Sequence, residues 1–114
     1  MSDCLFCKIG SGQIPAKVVL QDDEILAFED VNPQAPVHVL VIPKRHLPGL
    51  NEAKADAKAL LGRLFEVATQ VAEKKGIAES GYRVVANTGR NGGQTVFHLH
   101  LHVLGGRQMT WPPG

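Results

Sequence analysis

Three histidines alternate with apolar residues near the end of the chain, at His98, His100 and His102. In a β-strand, side chains two positions apart lie on the same face, so this spacing predicts a row of three imidazoles on one side of a sheet. Such a row suits zinc ligation, or nucleophilic and acid–base chemistry, because the imidazole pKa lies near neutral pH. A polar sheet face that is merely rich in histidine is the third interpretation.

A glycine-rich loop, Thr88–Gln94, directly precedes the histidine row. Main-chain N–H groups exposed in a glycine turn bind anions, and the side chains of Gln94 and Thr95 add hydrogen-bond donors. A phosphate site beside histidines favours phosphoryl or nucleotidyl transfer over metal ligation, since imidazoles two positions apart on a flat strand are often too distant to share one ion. Gly92 and Gly93 taken alone are equally typical of an ordinary β-turn.

Composition and charge restrict the class of protein. The 114 residues are typical of one domain, residues 1–114, and 44% of them are hydrophobic and 20% charged. A net charge of +1 provides no attraction for nucleic acid or an anionic membrane. The first sixteen residues include Asp3 and Lys8, which disfavours a signal peptide, and no apolar stretch reaches the roughly 18 to 20 residues of a transmembrane helix. We therefore expect a cytoplasmic protein.

The elements that must position the histidines are predicted from periodicity and turn residues. A short helical turn is predicted at residues 4–11, and strands at residues 17–21, 24–29, 37–42, 82–87 and 96–104. Strands that follow one another as hairpins and near neighbours, with one inserted helix, indicate an α+β fold with an antiparallel sheet. The apolar residues between the histidines, Leu99, Leu101 and Val103, are then expected to enter the core under the helix.

The inserted helix is predicted over residues 52–75. Its apolar positions follow a period of 3.6 residues, at Ala53, Ala57, Leu60, Leu61, Leu64, Val67, Ala68 and Val71. Asn51 is the predicted N-cap, and Gly76, which follows two lysines, is the predicted terminating glycine.

Residues 98–104, HLHLHVL, resemble the histidine triad motif, His-φ-His-φ-His-φ-φ, in which φ is apolar. The segments PAKVV, LAF-D, PQAP-H-LVIPK-H, GGQ-VFHLHLHVLGGRQM and WPPG are similar to the histidine triad nucleotide-binding proteins, the phosphoramidase branch of that superfamily. The similarity extends over residues 4–114. It implies a five-stranded antiparallel sheet with one long helix and a short N-terminal helix, and a homodimer in which two sheets form a continuous ten-stranded one.

The resemblance also implies a reaction. Purine nucleoside phosphoramidates or aminoacyl-adenylates would be hydrolysed to release AMP, with no cofactor required for catalysis. His100 would attack the α-phosphorus and form a covalent AMP-histidine, which water then hydrolyses. His102, Thr95 and the backbone at Gly93–Gln94 would hold the phosphate and the leaving group. His38 would lie behind the triad and adjust it by hydrogen bonding.

Further positions match the nucleotide site of the family. Asp30, with Val31 beside it, resembles the acceptor of the ribose hydroxyls, and Asn87 matches a residue near the ribose and phosphate. Four apolar residues match the purine slot, although each is nearly as typical of ordinary core: Leu5, Phe6, Ile9 and Phe28. Trp111, in the tail, would lie near the active site of the partner subunit.

Cys4 and Cys7 form a C-x-x-C pair, which departs from the best-known members of the family. In several bacterial relatives of the superfamily such a pair binds a structural zinc ion together with two histidines, here His46 and His98, and these ligand types suit tetrahedral zinc. Two incidental thiols are the alternative. A redox role is disfavoured because no thioredoxin-like βαβ pattern is present. His98 would then either adjust the catalytic histidines or bind zinc.

Two other functions remain open from the sequence. One is a non-catalytic dimer for nucleotide binding or protein interaction, and the other is hydrolysis of dinucleoside polyphosphates. The intact triad, the Gly-Gly-Gln-Thr loop and Asp30 together favour turnover, because a scaffold needs no such combination. The WPPG tail favours the phosphoramidase branch.

Overall fold

Five strands form a single antiparallel sheet in a computed structural model that describes residues 3–114. They are β1 (Val18–Gln21), β2 (Ile25–Glu29), β3 (Val37–Pro43), β4 (Tyr82–Val85) and β5 (Leu101–Gly105). The strand order across the sheet is β1-β2-β3-β5-β4. The predicted α+β class, with its hairpin of β1 and β2, is confirmed. Because β3 and β5 are neighbours in the middle, the histidines of both strands come together, with Leu40 opposite His102.

Two helices accompany the sheet: α1 (Leu5–Gly10) and α2 (Lys58–Lys74). The predicted end of the long helix is confirmed, since Gly76 follows it with a φ of +74°. The predicted start is wrong. Two short 3₁₀ turns, Leu50–Glu52 and Ala55–Ala57, precede α2, and extended backbone at Ala53 separates them. Asn51 therefore lies inside the first turn and does not cap α2.

The main core lies between α2 and one face of the sheet. Apolar spacing on α2 buries one stripe of side chains: Leu60, Leu64, Val67, Ala68, Val71 and Ala72. The predicted placement of Leu99, Leu101 and Val103 against this helix is confirmed, because all three belong to the same buried cluster. A smaller cluster on the opposite face lies under α1: Phe6, Leu26, Phe28, Leu40 and Ile42.

The last strand is shorter than predicted. The ladder between β3 and β5 begins at the pair Val41 and Leu101, and continuing the register would place Leu99 opposite Pro43. Proline has no N–H to donate to a ladder, and the N–H of Leu99 instead donates to the carbonyl of Leu47 at 2.6 Å. The prediction of a strand over residues 96–104 is therefore wrong in its first half. The three histidines consequently do not line one strand, which allows them different surroundings.

Within residues 3–114, no helix has both the length and the apolar character required to cross a membrane.

Candidate active site

His38 on β3 and His102 on β5 share a hydrogen bond of 2.9 Å between His38 Nε2 and His102 Nδ1. The backbone N–H of Gln34 donates to His38 Nδ1 at 3.0 Å. A ring nitrogen that accepts an N–H carries no proton, so neutral His38 holds its proton on Nε2. His38 therefore donates to His102 Nδ1, and the proton of His102 lies on its Nε2. The result is a hydrogen-bonded pair in which His38 donates to His102, and the Nε2–H of His102 is available to a bound group.

In His100 the proton is on the other ring nitrogen from that in His102. Its Nδ1 lies 2.7 Å from the main-chain carbonyl oxygen of His98, which only accepts hydrogen bonds. The proton of neutral His100 is therefore on Nδ1, and the lone pair of Nε2 is available for nucleophilic attack. The ring is buried and packs edge-on against Phe6, with centroids 5.1 Å apart, and lies 5.0 Å from the ring of His102. These contacts hold an imidazole with an available lone pair beside an N–H donor.

Burial keeps the imidazoles of His38 and His102 neutral. It lowers the pKa of His102 to about 4, and the neighbouring rings of His100 and His38 add to the effect when charged. Burial also lowers the pKa of His38, although the carboxylate of Asp30 opposes this. At neutral pH His102 is therefore a neutral N–H donor, which is the form that the tautomer assignment requires.

Asp30 lies behind the histidine pair, at the end of β2. One carboxylate oxygen accepts the N–H of Asn32 at 2.8 Å, and the other lies 3.4 Å from His38 Nε2. Its side chain is 19% exposed, so part of the carboxylate remains reachable from solvent. Val31, beside it, is fully exposed. The predicted ribose-binding pair thus lies at the rim of the histidine cluster.

Three of the four residues predicted to form the purine slot come together between α1 and the sheet. Phe6 and Phe28 are buried, and their rings meet edge-on with centroids 5.6 Å apart. Ile9 packs against the same cluster. Leu5 is 46% exposed and is absent from that cluster. Phe6 also reaches the ring of His100, so the apolar cluster directly adjoins the candidate nucleophile.

Several donors of the glycine loop are already hydrogen-bonded to other protein groups. The Gln94 side chain donates to the carbonyls of Pro48 and Val96 at 2.7 and 3.1 Å, and accepts the Gly89 N–H at 2.9 Å. The main-chain N–H groups of Gly93 and Gln94 also donate to loop carbonyls, at 3.0 Å each. The Gln94 side chain thus connects the loop to neighbouring segments, and its role as a phosphate donor stays a prediction.

Asn87 braces the same loop, since its amide donates to the carbonyl of Gly92 at 2.7 Å. A Cβ on Gly92 would lie 2.3 Å from the Thr88 carbonyl oxygen, so only glycine fits there. Thr95 differs from these residues, because it is exposed and its hydroxyl makes no hydrogen bond to any described residue. It remains the available side-chain donor at this end of the loop.

A second cluster lies on the other side of His98. Cys4 Sγ is 3.3 Å from His98 Nδ1, Cys7 Sγ is 3.3 Å from His46 Nδ1, and the two Nδ1 atoms are 3.2 Å apart. All four atoms lie within 4.8 Å of one another. Zinc bonds of about 2.0 to 2.3 Å would separate tetrahedral ligand atoms by about 3.3 to 3.8 Å. The cluster therefore fits a zinc ion closely, and the predicted ligands are brought together.

The tautomer of His98 also suits metal binding. Its Nε2 lies 2.7 Å from the carbonyl oxygen of Pro43, so the proton is on Nε2 and the lone pair of Nδ1 faces the cluster. Such an outer hydrogen bond is typical of histidine ligands. Burial lowers the pKa of His98, which keeps the ring neutral. Sequence reasoning missed the carbonyl of Pro43 and the N–H of Gln34, since main-chain groups leave no pattern in a sequence.

Fold and site together define a class of small α+β proteins in which histidines from two central strands form one cluster. The sequence matches the HIT domain family over residues 11–109, and the chain belongs to that family.

Relatives and solved structures agree with this assignment. The chain is 55% identical over 112 residues to an uncharacterised HIT-like protein of Synechococcus elongatus, covering 98% of this chain and 97% of that protein. It is 48% identical over 107 residues to the purine nucleoside phosphoramidase of Escherichia coli K12, covering 94% of this chain and 90% of that protein. A crystal structure of a HIT family hydrolase from Legionella pneumophila is 54% identical, with a TM-score of 0.96, and the match covers 98% of this chain and 100% of that one.

Proposed function

We propose that this chain hydrolyses purine nucleoside phosphoramidates and mixed aminoacyl–AMP anhydrides, and that His100 is the nucleophile. The observation that carries the proposal is the hydrogen bond from His100 Nδ1 to the His98 carbonyl, which leaves the lone pair of Nε2 available next to a directed N–H donor. The 48% identity to a protein named purine nucleoside phosphoramidase supports the substrate class.

The proposed reaction has two steps. The Nε2 atom of His100 attacks the α-phosphorus, and a bond between His100 and phosphorus forms. In a phosphoramidate the phosphorus–nitrogen bond breaks as the amine leaves with a proton from solvent, and in a mixed anhydride the phosphorus–oxygen bond breaks as the carboxylate leaves. Water then attacks the same phosphorus, the bond to His100 breaks, AMP is released and a proton returns to solvent. The Nε2–H of His102 and the hydroxyl of Thr95 would donate to phosphate oxygens, where charge develops in both steps.

The remaining residues would hold the nucleotide. Phe6, Phe28 and Ile9 form the apolar surface nearest His100 and would contact the purine. Asp30, at the rim, would accept hydrogen bonds from the ribose hydroxyls, because its carboxylate is partly exposed.

Intact-mass measurement of samples quenched early in turnover tests this function. With an adenosine phosphoramidate substrate, we expect the wild-type chain to carry one AMP and the His100→Ala variant to carry none and to lose turnover. Thr69→Ala, on the exposed side of α2, is the control that keeps both. An adduct and turnover that persist in His100→Ala would exclude His100 as the nucleophile.

The same assay separates the two alternatives. A wild-type chain that binds purine nucleotides but neither forms an adduct nor turns over would support a non-catalytic binding dimer. Turnover restricted to dinucleoside polyphosphates would support the other hydrolase branch.

We propose in addition that Cys4, Cys7, His46 and His98 bind one structural zinc ion. When bound, the ion would link α1 to the segment that carries the catalytic histidines, and four protein ligands would leave no open position for a substrate. Elemental analysis of protein purified under reducing conditions without chelator should find one zinc per chain. The double variant Cys4→Ser, Cys7→Ser should contain none, whereas His38→Asn should retain it. Clearly substoichiometric metal in the wild-type chain would contradict the proposal.

A homodimer is the third proposal. β4 is an edge strand whose four residues are all half-buried, and an unpaired edge is a natural place for a second sheet to join. Pairing of two β4 strands would produce the ten-stranded sheet. Sedimentation equilibrium should give twice the chain mass, and a monomer at micromolar concentration would refute it. The cytoplasmic location expected from the sequence stays a prediction, to be tested by cell fractionation.

A further inference from the structure

The turn after β5 contacts the loop between β2 and β3 at two points. The Nε and Nη2 atoms of Arg107 lie 3.2 and 3.1 Å from the carbonyl oxygen of Gln34. Gly106, at a φ of +89°, lies against Pro36 so closely that a Cβ would sit 2.9 Å from the proline Cβ. A left-handed glycine and an arginine in sequence thus attach this turn to the loop.

Gln34 provides the N–H that keeps His38 Nδ1 unprotonated, and Asp30, with a carboxylate oxygen 3.4 Å from His38 Nε2, favours the same tautomer. The N–H of Gln34 donates to His38 Nδ1 at 3.0 Å, and its carbonyl accepts from Arg107. Both groups belong to the main chain of one exposed loop residue, and apart from Arg107 the carbonyl has no other hydrogen-bond donor among residues 3–114. Anchoring the carbonyl therefore limits rotation of the adjoining backbone and keeps the N–H aimed at the imidazole.

We propose that Arg107 is a positioning residue for the proposed reaction, which holds Gln34 so that the proton of His38 stays on Nε2 and His102 stays a donor toward the phosphate. The inference rests on the proposed function. Without the anchor, the Gln34 N–H would leave His38 Nδ1 for part of the time, and the ring would then take its proton on Nδ1. His102 would lose the donor at its own Nδ1, and its Nε2–H would no longer be enforced.

The contribution should be moderate, because the arginine is exposed and water can compete for the carbonyl. Replacing Arg107 with methionine keeps the apolar stem and removes both donors. We expect kcat to fall about 3- to 10-fold, which is less than the full worth of a charge-assisted hydrogen bond because water replaces the lost donors. KM should change less than about twofold, because the donor acts mainly on charge that develops in the transition state.

The spectroscopic signature is the nitrogen spectrum of the histidine rings. In ¹⁵N-histidine-labelled wild type, His38 Nδ1 should appear as an unprotonated acceptor and Nε2 as protonated. In Arg107→Met, a population protonated at Nδ1 should appear at the same pH. Arg107→Lys, which retains the charge and one donor, should lie between the two in both kcat and tautomer population.

Arg63→Met is the matched control. Arg63 also forms paired contacts, with Asp22 and Glu66, but on the helix side of the molecule and without contact to the loop. It should leave kcat and the His38 spectrum unchanged.

Two outcomes would overturn the inference: an unchanged kcat in folded Arg107→Met, or a lowered kcat with an unaltered His38 tautomer. Failure of the proposed function is distinguishable from both, since a wild-type chain without turnover would still report the tautomer by its spectrum.

Discussion

Two pairs of histidines lie at nearly the same separation but are hydrogen-bonded differently. The facing nitrogens of His38 and His102 are 2.9 Å apart, and those of His46 and His98 are 3.2 Å apart. The group on the far side of one ring makes the difference. In the first pair a main-chain N–H donates to His38, which turns its other nitrogen into a donor. In the second, His98 donates to a main-chain carbonyl, which turns its facing nitrogen into an acceptor.

In the first pair, the proton on His38 Nε2 forms a hydrogen bond between the two rings. In the second pair, the proton of His98 points away from His46, so no proton of His98 lies between the rings. Two sulfur atoms join the second pair, so four groups with lone pairs converge on one point. A cation would satisfy those lone pairs, which is the basis of the zinc proposal. The distance between two rings does not distinguish a hydrogen-bonded pair from a metal site. The main-chain donor or acceptor on the far side of His38 or His98 does.

His98 connects the two clusters. Its side chain faces the sulfur atoms, and its carbonyl accepts the proton of His100 Nδ1 at 2.7 Å. Phe6, which lies between the two cysteines in sequence, packs against the rings of both histidines. Substitutions in either cluster thus test whether their roles are separate.

The largest effect on turnover should come from a substitution in the pair of His38 and His102. His102→Ala removes the N–H donor beside His100, and we expect turnover of a phosphoramidate to fall by about 10²- to 10⁴-fold. Zinc content should stay the same, because His102 contributes no ligand to the sulfur-containing cluster. Steady-state kinetics and elemental analysis of the same preparation measure both. Loss of zinc in this variant would show that the two clusters are not separate.

The corresponding substitution in the cysteine-containing cluster is His46→Ala. It removes one of the four proposed zinc ligands, so zinc affinity should fall by at least about 100-fold and the Tm by roughly 10 °C or more. Turnover should remain within about threefold of wild type when zinc is saturating, because His46 does not touch His100 or His102. Competition with a chromophoric chelator and thermal denaturation provide the measurements. A Tm equal to that of wild type would show that the cluster carries no metal.

The smallest effect is a gradual dependence of stability on pH. The pKa of His102 is about 4 in the folded chain, below its ordinary value of 6.5, so between these values the unfolded chain binds the proton more readily. The contribution to stability is complete above about pH 6.5 and is lost as the pH falls toward 4. The pKa of His38 is also lowered by burial, so His38 likewise makes the folded chain less stable as the pH falls.

Urea denaturation of zinc-free protein at several pH values between 7 and 4 measures this slope. His102→Asn, which cannot titrate, should show a shallower loss of the free energy of unfolding than wild type. Equal slopes would mean that His102 contributes nothing to the acid sensitivity.

Most of the architecture could be predicted because it rests on local patterns. The apolar period of α2, the glycine after it and the alternation that buries Leu101 and Val103 are properties of neighbouring residues. Two predictions of element bounds failed, and one of them failed because a distant residue intervenes. The last strand starts late because Pro43 lies across from Leu99, and extended backbone at Ala53 delays the start of α2.

The site divides in the same way. The sequence by itself determined which residue types are available: five histidines, two cysteines three positions apart and a glycine loop with a threonine after it. Only the tertiary structure decided which nitrogen of each ring holds a proton. That choice depends on the N–H of Gln34 and on the carbonyls of His98 and Pro43, and every residue carries similar main-chain groups. A sequence pattern cannot distinguish them, because what sets each histidine's role is where the folded backbone aims its donors and acceptors.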